Sequence, residues 1–187
     1  MPRDVRRREA WTDAATDYVL QHGLVSLSLR PLAAALGTSD RMLLYHFGTK
    51  DELVAALLRH SNDRSVAALD ALPASDGIRA AVHDLWAAMR SPTLQPCARL
   101  YVEASALGLL GREPYASVVR EGNATWLGAL VAHLVRSGVA RPLAVRAAKV
   151  IDAAFMGFEL DLPLDVGGSG RSQAVDDLAD AVAALTA

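Results

Sequence analysis

Apolar residues in this chain recur at three- and four-residue intervals almost from end to end, and runs of alternating β-branched residues are absent. A period near 3.6 lines apolar side chains along one face of a helix, whereas a half-buried strand needs a period of two. The chain is therefore expected to be all-α. With 52% hydrophobic and 21% charged residues in 187 positions it can bury a substantial core in one or two small domains, which excludes a disordered or fibrous chain. Glycine, proline and serine breakers cut the pattern into about nine helices, at roughly 8–22, 29–36, 39–47, 49–71, 77–90, 97–110, 114–137, 142–161 and 172–186. Gly167-Gly168-Ser169-Gly170 lacks the following Lys and Ser/Thr of a phosphate loop and reads as a mobile connection.

A net charge of -2 argues against a protein that coats nucleic acid or anionic membrane by bulk charge, so any polyanion site must be local. Cys97 is the single cysteine and has no partner for a disulfide or a multi-cysteine metal site. No apolar run reaches the roughly 18 residues of a membrane span, and no apolar segment follows the basic N-terminus. These features lead to the expectation of a soluble, untargeted protein of the cytoplasm, without metal or cofactor.

Local signals are densest near the N-terminus. Trp11, Ala15, Tyr18, Val19 and His22 share one face of the first helix, and Gly23 stands where a left-handed cap closes it. Ser28 is an N-cap candidate for the second helix, with Pro31 tolerated in its first turn. After Gly37-Thr38-Ser39 a third helix begins, and Thr49-Lys50-Asp51-Glu52 has the form of a capping box. Two short helices around a tight glycine turn, residues 28–47, form a helix-turn-helix pattern; an ordinary helical hairpin has the same spacing. In the third helix Leu43 and Phe47 can face the core, leaving Asp40, Arg41, Leu44 and Tyr45 outward. Arg3, Arg6, Arg7 and Arg8 suggest a flexible arm able to reach phosphates, or else a solvated tail. Lys50 lies at the start of the fourth helix, where the dipole favours an anion.

The stretch from Gly23 to Leu58, GLVSLSLRPLAAALGTSDRMLLYHFGTKDELVAALL, resembles the DNA-binding head of the TetR family of bacterial transcriptional regulators. The resemblance rests on Gly23, Ser28, Leu32-Ala33, Gly37-Thr38-Ser39, Leu43, His46-Phe47, and Lys50 followed by Leu53. It implies a three-helix DNA-binding domain over residues 1–48 and a helical ligand-binding and dimerisation domain over 49–187. Carried over by position, Ser28, Leu44, Tyr45, His46 and Lys50 would sit on the DNA backbone, while Asp40, Arg41 and Met42 would face base edges. Arg41 can donate two bonds to guanine; Asp40 could accept from cytosine or simply suit the helix dipole. His46 is open to two readings, a phosphate contact or a packed histidine. Where the family most often carries tyrosine this chain has Leu44, with Tyr45 one residue later, so the usual hydroxyl contact is displaced.

The remaining chain agrees with the family in length and helical layout. Residues 1–60 carry a net +1 and residues 61–187 a net -3. The resemblance implies a homodimer formed by the last two helices on palindromic operator DNA, with a small, lipophilic effector that releases it. Val150, Ile151, Ala154, Phe155, Gly157, Phe158 and Leu162, then Val175, Leu178, Ala179, Val182 and Leu185, are the stripes such an interface would use, unless they cover the subunit's own core. Trp86, Met89, Cys97, Tyr101, Tyr115 and Trp126 are candidates for lining the effector cavity, with core packing as the alternative. Arg99 and Glu103 are spaced for an ion pair, and Asp152 and Glu159 share a helix face that could be solvated. Without a His-Glu-x-x-His, nucleophile elbow or paired Ser-His motif, an enzyme is not expected. A helical protein that sequesters a small molecule without binding DNA is the competing reading.

Overall fold

The computed structural model describes residues 3–161 and 169–186, all helices and their connections with no strand among them. The order is α1 (Arg3–His22), α2 (Leu29–Ala35), α3 (Asp40–Phe47), α4 (Lys50–Asp70), α5 (Gly77–Met89), α6 (Leu94–Leu109), α7 (Tyr115–Arg136), α8 (Arg141–Asp161) and α9 (Ser169–Thr186). Two compact units share these helices: residues through Arg64 with Arg99–Gly122, and Ser65–Ala98 with the chain from Asn123 onward.

In the first unit the apolar faces of α1 to α4 close on one another around Val19, Leu32, Leu43, Phe47, Leu53 and Leu57, and Leu100 and Ala104 of α6 join the same core. Burying each leucine contributes about 1.5–3 kcal/mol. In the second unit Leu85 and Met89 of α5, Leu130 and Leu134 of α7, Ile151 and Phe155 of α8, and Val175, Ala179 and Val182 of α9 form the core.

Several boundaries differ from expectation for identifiable reasons. Helix α1 starts at Arg3, so the N-terminal arginines belong to helix and not to a flexible arm; arginine is a good helix former, and a solvated turn needs no apolar residue. Helix α6 starts at Leu94 and takes Pro96 into its first turn, where a missing amide costs no intrahelical bond. Helix α9 begins at Ser169, so Ser169 and Gly170 are helical; Gly167, Gly168 and Leu162 lie outside the described residues. Ile151, Phe155, Val175, Ala179 and Val182 are buried within the subunit's own core, the alternative left open for those stripes.

Candidate nucleic-acid interface

The turn between α2 and α3 is made by Gly37, whose φ of +64° lies in the left-handed region that only glycine enters without strain. The Thr38 N–H donates to the Ala33 carbonyl at 2.9 Å, and the Ser39 hydroxyl caps α3 by accepting from the Met42 N–H at 3.3 Å. Leu43 and Phe47 are buried, which fixes the rotation of α3 and turns Asp40, Arg41 and Tyr45 to solvent. Met42, Leu44 and His46 are half-buried. Tyr45 is 74% exposed.

Ser28 occupies the cap position of α2 but makes no side-chain cap bond. Of the two usual cap donors, the third helical residue, Pro31, has no N–H to offer the hydroxyl, which leaves only that of Arg30. The exposed hydroxyl is left facing outward. At the other end, the capping box forms as expected, with the Thr49 N–H donating to Glu52 Oε2 at 2.7 Å and the Glu52 N–H to Thr49 Oγ1 at 3.1 Å. Those Thr49 bonds hold the Glu52 carboxyl below its ordinary range. Lys50 is exposed, yet its ammonium donates to the Leu27 carbonyl at 2.8 Å, so it braces the loop before α2 while keeping donors in hand.

The α1 arginines are held by aromatics. Arg7 lies over the Trp11 ring at 5.7 Å and Arg8 over Phe47 at 5.5 Å. Trp11 in turn meets His46, and His46 meets Tyr45 edge-on at 5.1 Å between centroids. His46 is thus a packed, half-buried ring. The structure brings the eight expected residues Ser28, Asp40, Arg41, Met42, Leu44, Tyr45, His46 and Lys50 into the first unit, with Arg7 and Arg8 beside them. Trp11 was legible only as a core-facing residue, and its role in bracing α3 had no local signal.

Residues 12–57 match the sequence profile of the family described as bacterial regulatory proteins, tetR family. This head is of the TetR family. A Mycobacterium tuberculosis protein named HTH-type transcriptional repressor Rv3405c is 43% identical over 47 residues, which make up 25% of this chain and 25% of that protein. The Mycobacterium bovis HTH-type transcriptional regulator Mb3439c gives the same figures. The match thus spans a quarter of the length of these curated relatives. For the fold as a whole, a Rhodococcus sp. chain assigned to the TetR family superposes with a TM-score of 0.70 at 19% identity, covering 97% of this chain and 98% of that one. The multidrug binding protein EbrR, solved with imidazole, superposes with a TM-score of 0.66 at 25% identity over 97% and 95% of the two chains. The TetR fold therefore extends past the TetR head.

The side chains expected to line an effector cavity divide between the two units. Tyr101 and Tyr115 are in the first, where Tyr115 packs on the core and burial raises its phenol pKa. Trp86, Met89, Cys97 and Trp126 are in the second. Trp86 packs on Phe155 and Phe158, at 5.1 and 5.6 Å between ring centroids, and Met89 is buried in the same core. Cys97 is buried, its thiol donating to the Thr93 carbonyl. Trp126 Nε1 donates to Asp152 Oδ1 at 3.0 Å, and burial pushes the Asp152 carboxyl above its ordinary value. Glu159 is buried and faces Arg90 at 3.9 Å, so the face it shares with Asp152 turns inward instead of to water. Glu103 likewise faces backbone amides of the first unit.

Ser75, Asp84 and His133 approach one another in the second unit, but the Ser75 hydroxyl donates to Asp84 at 2.7 Å while His133 Nε2 stands 3.5 Å away. A nucleophile–base relay needs the opposite order, with the hydroxyl proton on the imidazole and the carboxylate behind it. No helix among the described residues is long and apolar enough to cross a membrane.

Proposed function

We propose that this protein is a transcriptional regulator that places α3 in the major groove of palindromic operator DNA as a homodimer and is released by a small, lipophilic effector. The carrying observation is the surface of α3: burial of Leu43 and Phe47 presents Arg41 and Tyr45 together on a TetR head. Arg41 would read a base edge, with Asp40 and Met42 beside it, and Ser28, Tyr45, His46 and Lys50 would hold the backbone. Leu44, half-buried, would pack against the sugar–phosphate surface and leave the polar contact to Tyr45. The head would comprise residues 1–48.

Dimerisation is supported by the outer side of α8, where Val150, Ala153, Gly157 and Leu160 are exposed along one stripe, and by Ala181, Ala184 and Leu185 on α9. One head covers one half-site, and a second copy supplies the rest of the specificity. The aromatic interior around Trp86, Phe155 and Phe158 supports an apolar effector, as does the fold shared with a multidrug binding protein. Repression is supported by the relative named a repressor. Such a protein works in the cytoplasm, where its DNA is.

The test is a fluorescence-anisotropy titration on DNA flanking the protein's own gene, against scrambled DNA, at two salt concentrations. Specific, salt-weakened binding by two protomers per site is expected. Equal binding to both DNAs overturns sequence-specific regulation, and absence of binding at low salt favours a small-molecule sequestering protein.

A further inference from the structure

The loop from Gly23 to Ser28, which joins α1 to α2, is gripped from two sides. On one side the Glu103 carboxylate of α6 accepts from the Leu24 N–H at 2.6 Å and from the Val25 N–H at 3.2 Å. On the other, Lys50 of α4 donates to the Leu27 carbonyl. Gly23 has φ +79°, and a Cβ built there would stand 2.9 Å from both Glu103 oxygens, so this glycine turns the chain and also admits the carboxylate. Leu100 and Ala104, which flank Glu103 on α6, are buried with Leu24, Leu27, Leu32 and Leu43. A carboxylate shared by two successive amides is a charge-assisted pair of bonds, stronger than neutral ones and directional.

We infer that Glu103 is a positioning residue for the DNA-binding head. By holding the Leu24 and Val25 amides to α6 it sets the loop that leads into Ser28 and α2, and a displacement of α6 reaches the helix-turn-helix through it. The inference rests on the DNA-binding reading above. Glu103 touches no phosphate in that reading, so its loss changes the geometry of the head without removing a DNA charge contact.

The experiment compares the full-length protein with Glu103→Ala and Glu103→Gln by amide hydrogen exchange and by affinity for the DNA flanking its gene across a salt series. In Glu103→Ala the Leu24 and Val25 amides should exchange faster while those of Leu130 and Leu134, in the second unit, keep their rates. Affinity should fall about tenfold, the equivalent of one charge-assisted bond. The slope of log affinity against log salt should not change, because no phosphate contact is lost. Glu103→Gln keeps an acceptor oxygen and should recover most of the affinity. Freed amides with unchanged affinity overturn the inference, as does an affinity loss accompanied by faster exchange throughout both units and no recovery by glutamine. Failure of the unaltered protein to prefer its flanking DNA over scrambled DNA overturns the DNA-binding reading itself, and this inference with it.

Discussion

Trp11 meets His46 edge to face, with ring centroids 4.9 Å apart and planes at 86°, and so ties the first helix to the last turn of the helix that carries Arg41 and Tyr45. Such a pair contributes about 0.5–1.5 kcal/mol beyond its burial. Trp11→Leu keeps an apolar side chain but removes the ring, and should cost about 1 kcal/mol in urea unfolding followed by circular dichroism, with the slope unchanged. An unshifted midpoint would show that the contact is incidental.

Arg41 and Lys50 should separate under mutation. Arg41→Ala is expected to lose about 1–3 kcal/mol of discrimination at one base position while binding other sequences as before. Lys50→Ala should weaken binding to every sequence and lower the salt slope by about one phosphate's worth. Because Lys50 also holds Leu27, its loss should speed amide exchange in the loop before α2. Unchanged base preference in Arg41→Ala would remove that residue from the readout.

Gly157 offers a test of the oligomer that leaves the subunit intact. A Cβ at this position meets nothing within 4 Å, so a larger side chain fits the isolated subunit. Replacing a mid-helix glycine also gains about 0.5–1 kcal/mol of helix propensity. Gly157→Glu should therefore keep or raise the unfolding temperature while converting a two-chain species to a single chain in analytical ultracentrifugation. A variant that sediments like the unaltered protein would place the interface elsewhere.

Two titratable groups of the second unit, the buried His133 and the half-buried Asp152, give pH dependences of opposite sign. Burial holds the His133 imidazole below 6.5, so the unfolded chain takes up the proton first; stability is full above that pH and is lost as pH falls below it. His133→Leu should flatten this acid loss relative to the unaltered protein. Burial raises Asp152 above 3.8, so here the folded chain binds the proton first and stability falls as pH rises through that window. Asp152→Asn, whose amide oxygen still accepts from Trp126, should be the more stable protein at neutral pH, and the gain should vanish below pH 3.8. Thermal melts across pH measure both.

What was legible in the sequence acts over a few residues. The Thr49–Glu52 box, the Gly37 turn and the inward pair Leu43 and Phe47 follow from steric and hydrogen-bonding rules within one or two turns, and the structure has each of them. The missing cap bond at Ser28 was also local, since Pro31 was in view, but a cap needs a donor as well as an acceptor. By contrast, Glu103 lies 79 residues from the Leu24 amide it accepts from, and its spacing to Arg99 gave no hint of that partner. Glu159 was open to a solvated reading because nothing near it in sequence announces Arg90. The residues expected to line an effector cavity divide between two units for the same reason: apolar periodicity says that a side chain is inward, not which core receives it.

A helix that starts at Arg3 changes what the N-terminal charge can do. A tethered tail would search for a phosphate and surrender its freedom on finding one, at roughly 1–2 kcal/mol for each residue fixed. With α1 helical and braced at Trp11, that loss of freedom has occurred before any DNA arrives, and the guanidinium groups of Arg7 and Arg8 stand at a set spacing beside α3. On the proposed operator, α1 would then behave as a ruler laid along the backbone, tolerant of few phosphate geometries, where a tail would have accepted many.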